Sequence, residues 1–372
     1  MDLINNQLTF FDFFSGIGGF KIGLERAGFK CVGFCDNDEK AVKLYRAFFK
    51  TDKELYFDDI TKIDTKDLPD FDILCGGFPC QSFSIAGKRR GFEDTRGTMF
   101  FEVARILQDK RPRYFILENV KGLLNHDGGK TFQTILKILS DIGYKVQWQL
   151  LNSKFFGVPQ NRERVYIVGC LGEECTGKVF PITGTDTKDI SQIELMQLPI
   201  TCGKPQGCRI YEMDGLSPCL TASQGNKGLF INKYYHFYTE TKVSSTLKAG
   251  GERPMVKVKN GTKKGYDEAT IGDGISLAYP ESKTRRGRVG RGCSQTLDTS
   301  CNMGTLDGYR IRRLTPLECF RLQGFPDEMI TVAKELGLAD SSLYKMAGNA
   351  VTVNVVEAVA KKLANAIKNK DI

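Results

Sequence analysis

The best candidate nucleophile in the sequence is Cys80, which follows Gly76-Gly77-Phe78-Pro79. The ring of Pro79 fixes its own φ angle and removes a backbone donor, so a stiff segment presents the thiol. Exposed backbone N–H groups in such a loop would favour the thiolate, which is the reactive form of cysteine. The alternative is that one of twelve cysteines stands here by chance, but the continuation Gln81-Ser82-Phe83-Ser84 argues against it.

Three carboxylates also follow apolar runs of the sequence. A desolvated glutamate can hold a proton, and Glu118 stands where a site loop would bury it. Asp36 follows the second apolar run, where an acid accepts hydrogen bonds from both ribose hydroxyls of a nucleotide. Asp59 could contact an adenine amino group while Ile60 packs on the ring. Each acid alone fits a helix cap or a surface position equally well, but their order favours one shared site.

A glycine-rich turn follows the first apolar run, in Asp12-Phe13-Phe14-Ser15-Gly16-Ile17-Gly18-Gly19. Such glycines let the chain turn tightly and let a ligand approach the backbone. A dinucleotide fingerprint needs Gly-x-Gly-x-x-Gly, but Lys21 stands at its third glycine position. The turn therefore excludes a nicotinamide dehydrogenase and favours a nucleoside ligand without a pyrophosphate; a purely structural turn is the alternative.

The cysteine and histidine content narrows the chemistry. The chain has twelve cysteines and two histidines, and no two cysteines have the C-x-x-C spacing, so we expect no metal site. There is no export signal, so we expect free thiols in a reducing cytoplasm. No apolar stretch approaches the ~18 residues that a membrane helix needs, so we expect no membrane partner.

The positive charge is locally concentrated. The net charge is +9, and residues 282–292 carry five basic residues and no acid. A basic, glycine-spaced run indicates a polyanion such as nucleic acid, and a solvated surface loop is the alternative.

The pattern of apolar runs predicts an α/β fold with a parallel sheet covered on both faces. Its strands are Leu8–Phe14, Cys31–Phe34, Phe71–Leu74, Tyr114–Leu117 and Arg164–Gly169, with helices at Phe20–Ala27 and Glu39–Phe49. Beyond residue 172 the sequence becomes rich in Gly, Thr and Ser, with short β-like runs such as Tyr234–Tyr238 and Met255–Val258. Helical spacing returns at Pro316–Leu322 and Val351–Ile367. We expect three regions, 1–172, 173–330 and a C-terminal helix within 331–372.

Taken together, the motifs resemble those of the DNA (cytosine-5)-methyltransferase family, of the bacterial or phage restriction-modification type. The match continues through Arg96-Gly97-Thr98-Met99-Phe100, Glu118-Asn119-Val120, Gln160-Asn161-Arg162-Glu163-Arg164, Arg313 to Pro326 and Ala347-Gly348-Asn349-Ala350-Val351. Asp36 stands where the family more often has Glu, and Ala350 where Ser is frequent. The resemblance implies a Rossmann-like methyltransferase domain, with an inserted smaller β-rich target-recognition domain at 173–330 and a C-terminal helix that returns to the first domain.

The resemblance also implies the cofactor S-adenosyl-L-methionine, released as S-adenosyl-L-homocysteine. The residues carried over as its contacts are Phe14, Gly16, Ile17, Gly19, Asp36, Asp59, Ile60, Pro79, Met99, Asn349 and Ala350.

For catalysis, the resemblance implies that Cys80 adds to C6 of a cytosine flipped out of the duplex. Glu118 would contact N3 and the exocyclic amine, Arg164 would contact O2, and Arg162 would support the same loop. The base that removes the C5 proton is not named by the sequence, and water fits that role.

Double-stranded DNA is the implied partner, with a cognate restriction endonuclease as a separate protein, and the enzyme is expected to be a monomer that associates with the nucleoid. The residues predicted to contact DNA are Gln81, Ser82, Ser84, Lys88, Arg89, Arg90, Lys283, Arg285, Arg286 and Arg288. Three Thr-Leu pairs, at 246, 296 and 305, are further candidates. Two alternatives remain: a tRNA cytosine-5 methyltransferase of the same family, which the long 173–308 region disfavours, and an inactive DNA-binding relative, which the intact Cys80, Glu118 and Arg164 disfavour.

Overall fold

A computed structural model of the chain describes residues 7–51, 54–79, 99–172, 178–184, 255–280, 282, 284–307 and 310–368. The strands of its main sheet are β1 Thr9–Phe13, β2 Lys30–Cys35, β3 Leu55–Phe57, β4 Ile73–Gly77, β5 Tyr114–Val120, β6 Tyr144–Asn152 and β8 Glu163–Leu171. They lie side by side in the order β3-β2-β1-β4-β5-β8-β6. The expected α/β fold is confirmed, because the first five strands run parallel.

The far side of the sheet differs from the expectation of a wholly parallel sheet. Strand β8 runs antiparallel to both of its neighbours, β5 and β6. Strand β6 was not predicted because it lies at the edge of the sheet, where only one side of the strand is paired and polar residues such as Lys145 and Gln147 interrupt the apolar pattern. A continuous apolar run identifies a strand buried on both faces, and an edge strand lacks that signal.

Eight α-helices lie within the described residues. They are α1 Gly19–Arg26, α2 Glu39–Phe49, α3 Met99–Lys110, α4 Lys130–Asp141, α5 Pro316–Leu322, α6 Glu328–Glu335, α7 Asp340–Asn349 and α8 Val353–Lys368. The bounds of α2 and α5 are those that the sequence predicts. Asp38 caps α2 by accepting from the N–H groups of Lys40 and Ala41, which gives its first turn a partner. Helices α3, α4, α6 and α7 were not predicted.

The C-terminal helix α8 packs against α1 through glycine. A β-carbon on Gly19 would lie 2.6 Å from Val351 Cγ2, and one on Gly23 would lie 2.6 Å from Val356 Cγ1. Because such contacts are closer than a side chain allows, glycine at these positions lets the two helices meet. The last helix thereby lies beside the loop that follows β1.

The later part of the chain forms smaller β structures. Strands β9 Met255–Lys259 and β10 Tyr266–Thr270 form a hairpin, and β7 Gln160–Asn161 pairs in parallel with β13 Ser294–Gln295. A four-stranded sheet is built from Gly274–Ser276 (β11), Val289–Gly290 (β12), Met303–Asp307 (β14) and Arg310–Arg313 (β15), in the order β12-β11-β14-β15. The short β7–β13 pairing joins this part to the chain beside the main sheet.

The expectation that all the thiols are free is wrong. Cys170 is disulfide-bonded, whereas Cys31, Cys35, Cys75, Cys293, Cys301 and Cys319 are free. Within the described parts of the chain, no helix combines the length and apolar character needed to cross a membrane.

Removing Glu318 should destabilise the protein strongly. Arg312 donates to both of its carboxylate oxygens, at 2.9 and 2.7 Å, and both side chains are buried. Glu318→Ala leaves the buried guanidinium without that carboxylate and also removes the capping box with Thr315 at the start of α5. We expect the free energy of unfolding in urea to fall by about 3–5 kcal/mol. Glu328→Ala, which removes an exposed acid from the first turn of α6, should change it by less than about 0.5 kcal/mol; equal losses of stability in the two variants would contradict the argument.

Candidate active site

The chemistry-bearing residues lie at the carboxyl ends of the five parallel strands. The turn after β1, Asp36 after β2, Asp59 after β3, Gly77 to Pro79 at the end of β4 and Glu118 on β5 share this edge. Strand order reverses at β1, with β2 on one side and β4 on the other. Ligands of open α/β sheets bind in the crevice at such a reversal.

The turn after β1 leaves open space for a ligand. Phe14 and Gly16 have φ angles of 55° and 53°, and a β-carbon on Gly16 would meet nothing within 4 Å. Gly18, at φ 85°, is different, since a β-carbon there would lie 2.4 Å from Phe49. Gly16 therefore permits the approach of a ligand, whereas Gly18 permits the approach of α2.

Asp36 is held in place by backbone donors. Its Oδ2 accepts from Gly16 N at 2.7 Å and its Oδ1 from Asp38 N at 2.8 Å. Burial raises the pKa of this carboxyl, and the two backbone hydrogen bonds oppose the rise. These bonds fix a carboxylate acceptor beside the open turn.

The other predicted cofactor residues fall around the same edge. Asp59 is partly exposed and accepts from Thr61 N and Thr61 Oγ1, whereas Ile60 is buried. Pro79 and Asn349 are exposed, Met99 and Ala350 are half-buried, and Ile17 and Gly19 are buried. Side chains at this edge that the sequence did not single out include Ser15, whose buried hydroxyl has no partner within the described part of the chain.

Glu118 and Arg164 form the central ion pair of the site. Arg164 Nε lies 2.9 Å from Glu118 Oε1, and only about a tenth of each side chain is exposed. Burial raises the pKa of Glu118, while the positive charges of Arg164 and Arg162 oppose the rise. The pairing of Val120 with Arg164 between β5 and β8 places the guanidinium beside the acid. A buried carboxyl in this setting can donate or share a proton with a ligand.

The backbone beside Glu118 leads towards the predicted nucleophile. Gly77 pairs with Glu118 between β4 and β5, and a β-carbon on Gly77 would lie 3.0 Å from Glu118 Oε2. Asn119 Nδ2 donates to the Phe78 carbonyl oxygen at 2.9 Å. The segment that leads into Cys80 is thus tied to the strand that carries Glu118.

Arg162 does not bond to Glu118 but to the backbone of other segments. Nη1 donates to Leu297 O at 3.1 Å, and Nη2 donates to Gly348 O and Ala350 O at 3.0 and 2.8 Å. The side chain is 2% exposed. The support expected of Arg162 therefore extends well beyond its own loop.

An open cavity of about 400 Å³ lies against Arg164. Its lining residues are Val120, Lys121, Gly122, Asn161, Glu163, Arg164, Gln295 and Thr296. Lys121 and Gln295 were not among the predicted site residues, because nothing in their local sequence marks them. Of the three Thr-Leu pairs, the structure brings Thr296-Leu297 to this cavity; Thr305 is buried in β14, and the pair at 246 lies outside the described residues.

The predicted DNA-contacting residues divide into three groups. Cys80 and the predicted contacts from Gln81 to Arg90, together with Lys283, lie outside the described residues. Arg285 and Arg286 are exposed.

The third group is Arg288, whose placement corrects the prediction. It is 3% exposed, and it donates to the carbonyl oxygens of Ser276, Pro280 and Lys259. A guanidinium enclosed in this way anchors the loop, so we leave Arg288 out of the DNA-contacting set.

An α/β sheet with an open turn after β1, an acid at the end of β2 and a buried acid on β5 defines the fold class of the S-adenosylmethionine-dependent methyltransferases. The model of the C-5 cytosine-specific DNA methylase family matches residues 8–365. The chain therefore belongs to this family, and it is a DNA (cytosine-5)-methyltransferase.

Curated relatives match along nearly the whole chain. The type II methyltransferase M.HpaII of Haemophilus parainfluenzae is 39% identical over 373 residues, covering 98% of this chain and 92% of the relative. The orphan methyltransferase M.SPRI of Bacillus phage SPR is 35% identical over 444 residues, covering 98% and 99%. Restriction-modification enzymes and phage enzymes are thus both among the relatives.

Solved structures show the same fold at low sequence identity. The S. pombe Dnmt2 methyltransferase has a TM-score of 0.56 at 17% identity, with 98% of this chain and 100% of that chain covered. Spodoptera frugiperda DNMT2 has a TM-score of 0.54 at 18% identity, with 96% and 100% covered.

Removing the Arg164 charge should raise the pKa of Glu118. In Arg164→Met the carboxylate loses the positive charge nearest to it, while its burial continues to favour the neutral form. The measurement is a pH titration of ¹³C-labelled glutamate carboxyls by NMR, with Glu118→Gln identifying the resonance. Lys121→Met is the matched control, because Lys121 lines the same cavity but pairs with Glu163. An unchanged titration midpoint of Glu118 in Arg164→Met would show that Arg164 does not lower the pKa of Glu118.

Proposed function

We propose that this enzyme transfers a methyl group from S-adenosylmethionine to C5 of a cytosine flipped out of duplex DNA, through a covalent bond between Cys80 and C6. The observation that carries the proposal is the buried Glu118–Arg164 pair beside the segment that leads into Cys80. C5 of cytosine is a poor nucleophile, and a target carbon inside the base stack is inaccessible to a protein. Addition of the thiolate at C6 makes C5 a better nucleophile, and base flipping brings the target carbon out of the stack.

Cys80 begins the reaction as a thiolate. Its sulfur forms a bond to C6, and the electrons of the C5–C6 double bond make C5 carbanion-like. Glu118 contacts N3 and the exocyclic amine and relieves the negative charge of the ring by supplying a proton at N3. Burial keeps the Glu118 pKa raised, which favours the protonated form that this step needs.

Arg164 holds the base in the orientation that Glu118 requires. It contacts O2 of the ring, while its bond to Glu118 fixes the carboxyl. After C5 has gained its methyl group, a base removes the C5 proton, the double bond forms again, the Cys80 thiolate leaves and the N3 proton returns to the Glu118 carboxylate. Water fits the role of that base.

The residues at the carboxyl edge fit S-adenosylmethionine. When bound, the cofactor supplies an electrophilic methyl group on a sulfonium. Gly16 leaves open space beside the backbone, and Asp36 offers fixed acceptors for ribose hydroxyls. Ile60 offers an apolar surface for the adenine and Asp59 an acceptor for its amino group. The full set of proposed contacts is Phe14, Gly16, Ile17, Gly19, Asp36, Asp59, Ile60, Pro79, Met99, Asn349 and Ala350.

DNA contacts are proposed for two regions. The segment from Cys80 to Gly91 contributes Gln81, Ser82, Ser84 and Lys88-Arg89-Arg90, which would close over the flipped base and its phosphates. Residues 173–330 form the proposed target-recognition domain, in which exposed Arg285 and Arg286 contact phosphates. Phosphate contacts supply affinity and orientation, whereas contacts to base edges supply specificity.

The enzyme is proposed to act as a monomer in the cytoplasm, on DNA of the nucleoid. Its relatives include type II and orphan methyltransferases. A cognate endonuclease, where one exists, would be a separate protein.

Replacing Cys80 with alanine should abolish methylation. DNA from a bacterial host that expresses the wild type should carry protected cytosines at one short sequence in bisulfite sequencing. The Cys80→Ala host should carry none, although the purified variant should still bind S-adenosylmethionine in calorimetry. Cys293→Ala, which removes a partly exposed free thiol, should methylate as the wild type does.

A mechanism-based probe tests the covalent step separately. A duplex with 5-fluorocytosine at the mapped site should form an adduct with the wild type that survives denaturing electrophoresis, because the C5 fluorine cannot be removed as a proton. No adduct in the presence of cofactor, or retained methylation by Cys80→Ala, would rule out attack by Cys80.

Removing Arg285 and Arg286 should weaken DNA binding in a salt-dependent way. In the double alanine variant, the slope of log K against log salt should become shallower by about 0.9 for each phosphate that the two arginines neutralise in the wild type. The control is Lys361→Ala with Lys362→Ala, which removes the same charge from an exposed part of α8. Equal slopes for the two double variants would assign Arg285 and Arg286 to the general surface.

A further inference from the structure

Arg162 joins parts of the chain that belong to different functions. Its guanidinium bonds to Leu297 O, which lies 135 residues further along the chain, and to Gly348 O, which lies 186 residues further along. It also bonds to Ala350 O at 2.8 Å. Leu297 follows Thr296, which lines the cavity beside Arg164. Gly348 and Ala350 flank Asn349, a proposed cofactor contact.

The two segments that Arg162 joins also touch each other. A β-carbon on Gly348 would lie 2.2 Å from Asp298 O and 2.8 Å from Thr299 Cα. Cys301 Sγ donates to Tyr344 O on α7 at 3.2 Å, which adds a second link between the same segments. A displacement of either segment therefore requires the other segment to move.

The three carbonyl oxygens that accept from Arg162 form a cage around its guanidinium. The chemistry of this cage makes Arg162 sensitive to such displacement. Among the described residues, its acceptors are neutral carbonyl oxygens, and its Nε has no partner. A buried cation without a bonded carboxylate depends on those carbonyl dipoles staying aimed at it. Arg162 also lies two residues before Arg164, so its position bears on the Glu118 pair.

Neighbouring glutamines each serve one side of this junction. Gln160 accepts from Leu297 N at 3.4 Å and donates to Leu322 O at 2.8 Å. Gln323 donates to Ala347 O at 2.8 Å and accepts from Thr352 Oγ1 at 2.9 Å. In contrast, Arg162 bonds to both segments. The two glutamines therefore serve as matched controls for Arg162.

We propose that Arg162 is a positioning residue that couples cofactor binding to DNA binding, because one guanidinium holds the target-side Leu297 segment and the cofactor-side Gly348–Ala350 segment. This proposal rests on the proposed function for the identity of the two ligands. A ligand that orders either segment aligns carbonyls of the shared cage, so the second ligand meets a segment that is already ordered. Coupling of this kind is reciprocal, since each ligand changes the affinity of the other by the same factor.

The test compares product affinity with and without DNA. Isothermal titration calorimetry gives the Kd of S-adenosylhomocysteine for the protein alone and for its complex with a short duplex that carries the mapped site. For the wild type we expect the duplex to tighten binding by at least about fivefold, the lower end of typical couplings. For Arg162→Met we expect the ratio to fall to within about twofold of one. Arg162→Lys, which keeps the charge but has fewer donors, should give an intermediate ratio and is the variant to use where Arg162→Met does not fold.

The glutamine variants separate coupling from general loosening. Gln160→Met and Gln323→Met each remove buried hydrogen bonds from one side of the junction, and both should retain more of the coupling than Arg162→Met. The proposal is overturned by a wild-type ratio of one, by a wild-type ratio in Arg162→Met, or by an equal loss of coupling in either glutamine variant. A wild type that gives no mapped site in the bisulfite experiment contradicts the proposed function, whereas a mapped site followed by any of these outcomes contradicts the coupling alone, because product and duplex undergo no turnover.

Discussion

The structure depends on keeping one carboxyl, that of Glu118, away from water. Its burial on β5 raises the pKa, and the guanidinium of Arg164 limits the rise. Burial without the arginine would favour the neutral acid more strongly, and the arginine without burial would favour the charged carboxylate. A carboxyl whose pKa is raised by burial and held back by a positive charge requires both, so an arginine must lie beside the end of β5.

The antiparallel strand β8 places Arg164 beside the end of β5. In the α/β pattern of parallel strands, the end of a neighbouring strand would sit beside Glu118, and the chain would then leave towards a helix. Because β8 runs the other way, its first residues lie beside the last residues of β5, and Val120 pairs with Arg164. The same reversal places Arg162, just before β8 begins, among the segments that follow from the later part of the chain.

The sequence predicts the elements whose signals are local. Helix α2 has its cap at Asp38 and α5 has its capping box at Thr315, and the predicted bounds of both helices are those observed. Local pattern also identifies the strand ends that carry Asp36 and Glu118. It does not identify β6, whose edge position removes the continuous apolar run, nor the direction of β8, which depends on pairing with strands distant in sequence.

The sequence also does not predict which arginines of the basic run at 282–292 are exposed and which are buried. Arg285, Arg286 and Arg288 are alike in composition, yet the first two are exposed and the third is enclosed by three carbonyl groups. Its carbonyl partners lie where strands end or outside them, since Lys259 ends β9, Ser276 ends β11 and Pro280 belongs to no strand. Buried carbonyls need donors, and a guanidinium supplies five in a fixed fork.

This demand changes how the excess of positive charge should be understood. Arg162 and Arg288 donate to backbone carbonyls, and Arg312 donates to Glu318. All three are buried, so their charges contribute to the count of +9 without standing on a surface where a phosphate could meet them. A basic composition therefore overstates the DNA-binding surface of a protein in which irregular segments are crosslinked by arginine. The arginines that remain exposed, such as Arg285 and Arg286, are the ones whose charge can contribute to binding a polyanion.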